Sequence, residues 1–178
     1  MKRMAVFFGG FGYTTEKPLF YYLIKEYRKL GYEIMKIEYR IPIKDLSLDE
    51  WIFLLVDDIR REWKNFDFSE YEEIIFISKS IGTRIAGMLG SQYSKIKHIF
   101  LTPLKETLPF IRRDTQTELV LYGTSDPYIS SDTLKMHCEQ ENIPYIAFKN
   151  ANHSLETGDL NETLDIIKEM IKACTSGK

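Results

Sequence analysis

One serine in the sequence follows a buried strand at a point where its hydroxyl would be lifted out of the fold. The apolar run Ile74-Ile75-Phe76-Ile77 leads directly into Ser78-Lys79-Ser80-Ile81-Gly82 and then into a helical pattern. A reactive serine on a tight strand-to-helix turn needs small residues two positions before and two after it. The start of the helix adds positive potential where an oxyanion would form. Ser80 is therefore a candidate nucleophile, although a helix cap explains a serine here equally well.

An acid and a base also follow predicted strands. Asp126 lies in Gly123-Thr124-Ser125-Asp126-Pro127 after the strand at 118–122, and His153 lies in the loop after the strand at 145–148. Alone, Asp-Pro is a common turn pair, and a loop histidine is more often a surface residue. Serine, aspartate and histidine in this chain order together supply a nucleophile, an orienting acid and a general base.

Other titratable residues give weaker signals. Asp114, in the connection 102–116, is the alternative acid, whereas His98 lies inside a strand run and His137 inside a helical pattern. Lys79 is expected to point away from the site, because neighbouring residues on a tight turn diverge. No cysteine, histidine or carboxylate cluster has the spacing of metal ligands, so neither a metal nor a cofactor is expected.

The elements that must position these residues alternate along the chain. Apolar strand runs lie at 5–8, 33–39, 74–77, 96–101, 118–122 and 145–148, and helical patterns cover about 18–30, 47–64, 80–93, 131–141 and 160–173. This alternation predicts a mostly parallel, twisted sheet of about six strands with helices on both faces, an α/β three-layer sandwich. Ligands bind such sheets beyond the carboxyl ends of the strands, where the three candidates lie. A single domain over residues 1–178 is predicted.

Composition excludes several classes of protein. The net charge is −2 and the basic residues are scattered, which disfavours a nucleic-acid partner. No apolar run is long enough for a membrane helix, and the N-terminal run is too short for a secretory signal. The isolated Cys138 and Cys174 suggest a reducing compartment. We expect a cytoplasmic protein with a small-molecule substrate and no membrane contact; the oligomeric state stays open.

The sequence resembles the α/β-hydrolase superfamily over nearly its whole length. The resemblance rests on Ser78–Gly82, Gly123–Pro127 and Ala151-Asn152-His153-Ser154-Leu155-Glu156. It implies a serine hydrolase that cleaves a small carboxylic ester or thioester through an acyl-enzyme. The family's oxyanion loop corresponds to Gly9-Gly10-Phe11-Gly12, so the amides of Phe11 and Ile81 are expected to hold the oxyanion. Residues expected to contact the substrate are Gly10, Tyr13 and Tyr128.

The chain departs from the family pattern in several places. Gly9 stands where many members have histidine, Ser78 replaces a glycine, and the antiparallel strands that often precede the core are missing. The likeness is to a small member without a lid, close to the dienelactone-hydrolase-like esterases, with Ser80 in place of their cysteine. One alternative is a catalytically inactive hydrolase-fold binding or scaffold protein. Another is a flavodoxin-like nucleotide-binding protein, which the glycine spacing after the first strand disfavours.

Overall fold

The computed structural model describes residues 2–39 and 46–178, in which strands and helices alternate. The strands are β1 (Lys2–Phe8), β2 (Tyr32–Ile37), β3 (Tyr71–Lys79), β4 (Ile96–Leu101), β5 (Thr117–Gly123) and β6 (Tyr145–Phe148). The helices are α1 (Pro18–Lys29), α2 (Leu48–Glu62), α3 (Ile81–Gly90), α4 (Ser131–Glu141) and α5 (Leu160–Thr175). Short 3-10 helices occupy Trp63–Asn65, Phe68–Glu70 and Lys105–Phe110.

The strands form one six-stranded sheet in the order β2-β1-β3-β4-β5-β6. Every neighbouring pair is parallel, so all the carboxyl ends meet at the same edge. The chain winds outward from β1 to β2 and then returns to place β3 on the other side of β1. The winding direction therefore reverses between β1 and β3, which is where α/β sheets bind ligands.

Both faces of the sheet are covered, because alternate residues of each strand point to opposite faces. In β1, Ala5 and Phe7 pack beneath α1 and α5, whereas Val6 and Phe8 pack beneath α2 and α3. Helix α4 covers the β4–β5 part of the second face. This arrangement confirms the predicted three-layer α/β sandwich. No helix in the described ranges has both the length and the apolar character needed to cross a bilayer.

Local signals in the sequence set several boundaries. Ser47 and Glu50 form a reciprocal capping box at the start of α2, and Gly31 adopts a φ of +83° just after α1. Strand β3 is longer than its apolar run, because its first residues, Tyr71 and Glu73, pair with β1 despite being polar. Helix α3 ends at Gly90, earlier than the predicted Tyr93.

Candidate active site

Ser80 occupies the turn between β3 and α3 in an uncommon backbone conformation. Its φ of 55° and ψ of −125° lie in a region that residues with a side chain rarely adopt. Ser80 stands at the N-cap position of α3, but its side chain makes no capping hydrogen bond. The hydroxyl instead lies 2.7 Å from Nε2 of His153. The Ser80 side chain therefore does not cap α3.

Gly82 makes this turn possible because α3 starts against the end of β1. A Cβ atom on Gly82 would lie 2.3 Å from the carbonyl oxygen of Gly9 and 2.5 Å from that of Phe8. Only glycine fits this gap. Ser78, at the other small position, is fully buried and its hydroxyl donates to the carbonyl of Ile99 at 3.4 Å.

His153 connects the serine to a buried carboxylate. Its Nδ1 lies 2.6 Å from Oδ2 of Asp126, and the Asp126 side chain is 1% exposed. Oδ1 of Asp126 accepts a hydrogen bond from the amide of Tyr128 at 2.9 Å, so both carboxylate oxygens have partners. An ionised Asp126 assigns the proton to Nδ1 and leaves the Nε2 lone pair facing the Ser80 hydroxyl.

The loops that carry Asp126 and His153 are bonded to each other. The amide of Ser125 donates to the carbonyl of Ala151 at 2.9 Å, and the amide of Thr124 donates to the carbonyl of Phe148 at the same distance. Gly123 brings the two backbones together, since a Cβ atom there would lie 2.1 Å from the carbonyl oxygen of Ala151. Asp126 and His153 are thus held as one unit at the ends of β5 and β6.

The loop after β1 is a tight turn that lies against the serine. Gly10 and Tyr13 exchange backbone hydrogen bonds of 2.9 and 3.2 Å, with Phe11 and Gly12 at the tip. A Cβ atom on Gly10 would lie 3.0 Å from Cβ of Ser80. Within the described ranges, the backbone amides of Phe11 and Ile81 donate to no protein acceptor. Both are therefore free to bind a ligand oxygen.

The competing acid lies outside this arrangement. Asp114 is exposed and forms an ion pair of 2.8 Å with Arg112. His153 hydrogen-bonds to Asp126 and not to Asp114.

His98 and His137 make no hydrogen bond to Ser80, Asp126 or His153. His98 is buried in β4, stacked on Phe100, and burial lowers its pKa to about 3. His137 in α4 has its Nε2 atom 2.8 Å from the carbonyl oxygen of Ile111.

The residues expected to contact a substrate fall into two groups. Tyr128 is 63% exposed, and its ring centroid lies 4.5 Å from that of His153. Phe11 is 46% exposed, beside Trp51 and next to a cavity of about 230 Å³ that Gly9, Gly10 and Tyr39 also line. Tyr13 turns inward instead. Its ring packs beside Phe20, and burial raises its pKa to about 12.

Lys79 does not follow the sequence-based expectation. Its side chain leaves Ser80 on the face of β3 that also carries Ile75 and Ile77, but it ends beneath the site. Nζ donates to the carbonyl oxygen of His153 at 2.5 Å and to Oγ1 of Thr102 at 2.8 Å. The burial of Lys79 could have been predicted from the alternation of side chains along β3, which places this residue on a covered face.

Comparison with solved structures identifies the fold. A protein of Agrobacterium tumefaciens described as an α/β hydrolase of unknown function superposes with a TM-score of 0.73 at 14% identity, covering 97% of this chain and 84% of its own. An α/β serine hydrolase homologue from Coxiella burnetii gives a TM-score of 0.69 at 14% identity, over 96% and 84% of the two chains. Est1E from Butyrivibrio proteoclasticus, also solved with ferulic acid bound, gives 0.64 at 14% identity, over 98% and 89%.

The chain therefore has the α/β-hydrolase fold, as the sequence resemblance predicted. No protein-family model and no curated protein matches its sequence. In the described part of the chain, no three histidine, cysteine or carboxylate side chains cluster in a way that would hold a metal ion.

Proposed function

We propose that the chain is a serine hydrolase that cleaves small carboxylic esters or thioesters through an acyl-enzyme on Ser80. The observation that carries the proposal is the continuous series from the Asp126 carboxylate through the His153 ring to the Ser80 hydroxyl, with distances of 2.6 and 2.7 Å. Both are hydrogen-bond distances, and the second falls within the range in which a base takes a proton from a nucleophile.

In the first half of the reaction, Nε2 of His153 takes the proton of Ser80 as Oγ attacks the carbonyl carbon of the substrate. Asp126 keeps the imidazole in the required tautomer and stabilises the imidazolium that forms. The imidazolium then gives its proton to the leaving alcohol or thiol. In the second half, His153 activates a water molecule that attacks the acyl group and regenerates Ser80.

The oxyanion of each tetrahedral intermediate is held by the amides of Phe11 and Ile81. Their lack of a protein acceptor supports this role, as does the approach of Gly10 to Ser80. The start of α3 adds the positive end of its dipole at the same place. Loss of one such donor typically costs about 10²–10³ in rate.

The similar structures support the class of substrate. Est1E binds ferulic acid, a carboxylic acid of the kind that ester cleavage releases. Tyr128, whose exposed ring contacts His153, and Phe11, exposed at the tip of the turn that lies against Ser80, are the side chains that we propose line the substrate site together with Gly10.

A fluorophosphonate probe tests the proposal directly, because it reacts only with an activated serine. Intact-mass analysis should show one adduct on the wild type and on Ser94→Ala, a matched control in the loop before β4, but none on Ser80→Ala. Turnover of p-nitrophenyl acetate and of a short thioester should disappear with the same variant. A wild-type chain that is neither labelled nor active would favour a hydrolase-fold scaffold protein instead.

A further inference from the structure

Lys79 is a buried cation that the proposed reaction does not use. Its exposed fraction is 1%. The ammonium has three N–H bonds, and each has a partner: the carbonyl oxygen of His153 at 2.5 Å, the hydroxyl of Thr102 at 2.8 Å, and the ring face of Tyr13, with its centroid at 4.8 Å. The ammonium therefore has as many neighbouring partners in the protein as it has N–H bonds.

These three partners belong to three separate loops of the site. His153 follows β6 and carries the base, Thr102 follows β4, and Tyr13 closes the turn that presents the amide of Phe11. Lys79 itself is covalently joined to Ser80. One side chain thus connects the nucleophile turn to the base loop and to the loop of the proposed oxyanion hole.

The chemical nature of this side chain argues against a purely packing role. The same face of β3 carries Ile75 and Ile77, and an apolar residue would continue that pattern. Burial of a charge carries a large desolvation cost, so a lysine is a poor choice for a position that only has to be filled. Burial lowers the pKa of Lys79 to about 8, while the nearby Asp126 and Glu156 act in the opposite direction.

We infer that Lys79 is a positioning residue that fixes the backbone of His153 and the Tyr13 turn relative to Ser80. The inference rests on the proposed function. The hydrogen bond to the His153 carbonyl sets the height of that loop above the sheet, and so sets the distance from Nε2 to the Ser80 hydroxyl. A misplacement of about 1 Å in such a contact can cost about 10²-fold in rate.

The test compares Lys79→Met, which keeps all but the last atom of the side chain's length and removes its charge, with Lys149→Met, which removes an exposed ammonium after β6. We expect Lys79→Met to lower kcat by about 10²-fold at nearly unchanged KM, and to slow fluorophosphonate labelling in proportion. Its melting curve should show that the variant is still fully folded at the temperature of the assay. Hydrogen exchange of the segment 149–156 should become faster in Lys79→Met only.

Several outcomes would overturn the inference. One is a Lys79→Met chain with wild-type kcat, and another is a loss of activity that merely follows a loss of stability. A wild type that is not labelled would instead reject the proposed function. A labelled, active wild type beside an equally active Lys79→Met would reject the inference about Lys79 alone. If hydrogen exchange of segment 149–156 is as slow in Lys79→Met as in the wild type, the positioning role is rejected, even when kcat falls.

A second pair of variants keeps the inference testable if Lys79→Met does not fold. Thr102→Val removes one acceptor of the ammonium and retains the branched shape, whereas Thr102→Ser retains the hydroxyl. Thr102 has a φ of 43°, and both threonine and valine are branched at Cβ, so backbone strain is matched in the first variant. We expect Thr102→Val to lose more kcat than Thr102→Ser at unchanged KM. Equal values would overturn the role of Lys79.

Discussion

Nε2 of His153 lies 2.7 Å from Oγ of Ser80, although 73 residues separate the two along the chain. Ser80 follows β3, near the middle of the sheet, and His153 follows β6 at its edge. The contact therefore depends on β4, β5 and β6 pairing in register, and on the loop that carries Asp126 lying between them. The proposed site therefore forms only when β4, β5 and β6 are folded and paired.

The backbone of Ser80 predicts an unusual ranking of stabilities. Ser80→Ala and Ser80→Gly both remove the hydroxyl, but only glycine adopts a φ of 55° without strain. Strain of this kind costs about 1–3 kcal/mol, which exceeds the usual entropic disadvantage of glycine of about 0.5–1 kcal/mol. Urea denaturation should show Ser80→Gly to be more stable than Ser80→Ala by about 1 kcal/mol. The reverse order would mean that the turn is not strained.

The choice between the two candidate acids is testable with matched substitutions. In Asp126→Asn the side-chain oxygen can still accept from the Tyr128 amide, which would turn the NH2 group towards Nδ1 of His153. The imidazole then carries its proton on Nε2 and cannot accept one from Ser80, a change that typically costs about 10⁴ in kcat. Asp114→Asn, at an exposed residue paired with Arg112, should keep kcat within about twofold. A damaging Asp114→Asn would reject this assignment.

The segment between β4 and β5 predicts a preference for short acyl groups. Residues 102–116 hold only a short 3-10 helix, and Phe110 packs onto Gly87 of α3, where a Cβ atom would lie 2.6 Å from its ring. Ile111 is fully buried. These apolar residues therefore belong to the core and do not wall an acyl groove.

Each methylene that enters an apolar groove adds about 0.8 kcal/mol, roughly fourfold in kcat/KM. Across p-nitrophenyl esters from acetate to laurate, kept below their micelle concentrations, this gain should stop after a few carbons. If kcat/KM climbs steadily to laurate, a long groove is present and the predicted preference for short acyl groups is wrong.

Lys79 should make the stability of the fold depend on pH in the alkaline range. Burial lowers its pKa in the folded chain to about 8 from 10.5, with Asp126 and Glu156 opposing the shift. Between these values the unfolded chain holds a proton that the folded chain has lost. The free energy of unfolding therefore rises with pH in this window, by up to about 1.4 kcal/mol per pH unit. Tyr13, with a pKa of about 12, stays neutral there.

The measurement is the difference in unfolding free energy between the wild type and Lys79→Met, taken at several values from pH 7 to 10.5. Other titrating groups cancel in this difference. We expect it to shift in favour of the wild type above pH 8. A flat difference would mean that the pKa of the Lys79 ammonium is not lowered by burial.

The strand-helix rhythm made the fold predictable from the sequence. Apolar runs such as Ile96–Leu101 and the pattern of Ser131–Glu141 coincide with β4 and α4 as the structure has them. Parallel strands end at the same edge, so the order of Ser80, Asp126 and His153 was enough to predict that their side chains meet. These inferences needed only local patterns and the rules of parallel sheets.

The position of the Lys79 ammonium group could not be predicted in the same way. Alternation along β3 assigns its face, but its partners Thr102 and His153 come from loops 23 and 74 residues away. The sequence likewise does not reveal the inward orientation of Tyr13, whose ring packs beside Phe20 and the Lys79 ammonium. Contacts that are set by side-chain packing between distant loops leave no periodic pattern.

Because β6 lies at the edge of the sheet, the proposed site can open while the rest of the fold persists. This strand has four residues, of which only Phe148 is buried, and it pairs with β5 alone. Edge segments open at a smaller cost than the interior of a sheet. Under heat or denaturant, His153 would then leave Ser80 first, and the proposed activity would be lost while β1 and β3 are still paired. An engineer who wants a longer-lived catalyst should reinforce β6 and its loop before altering the core.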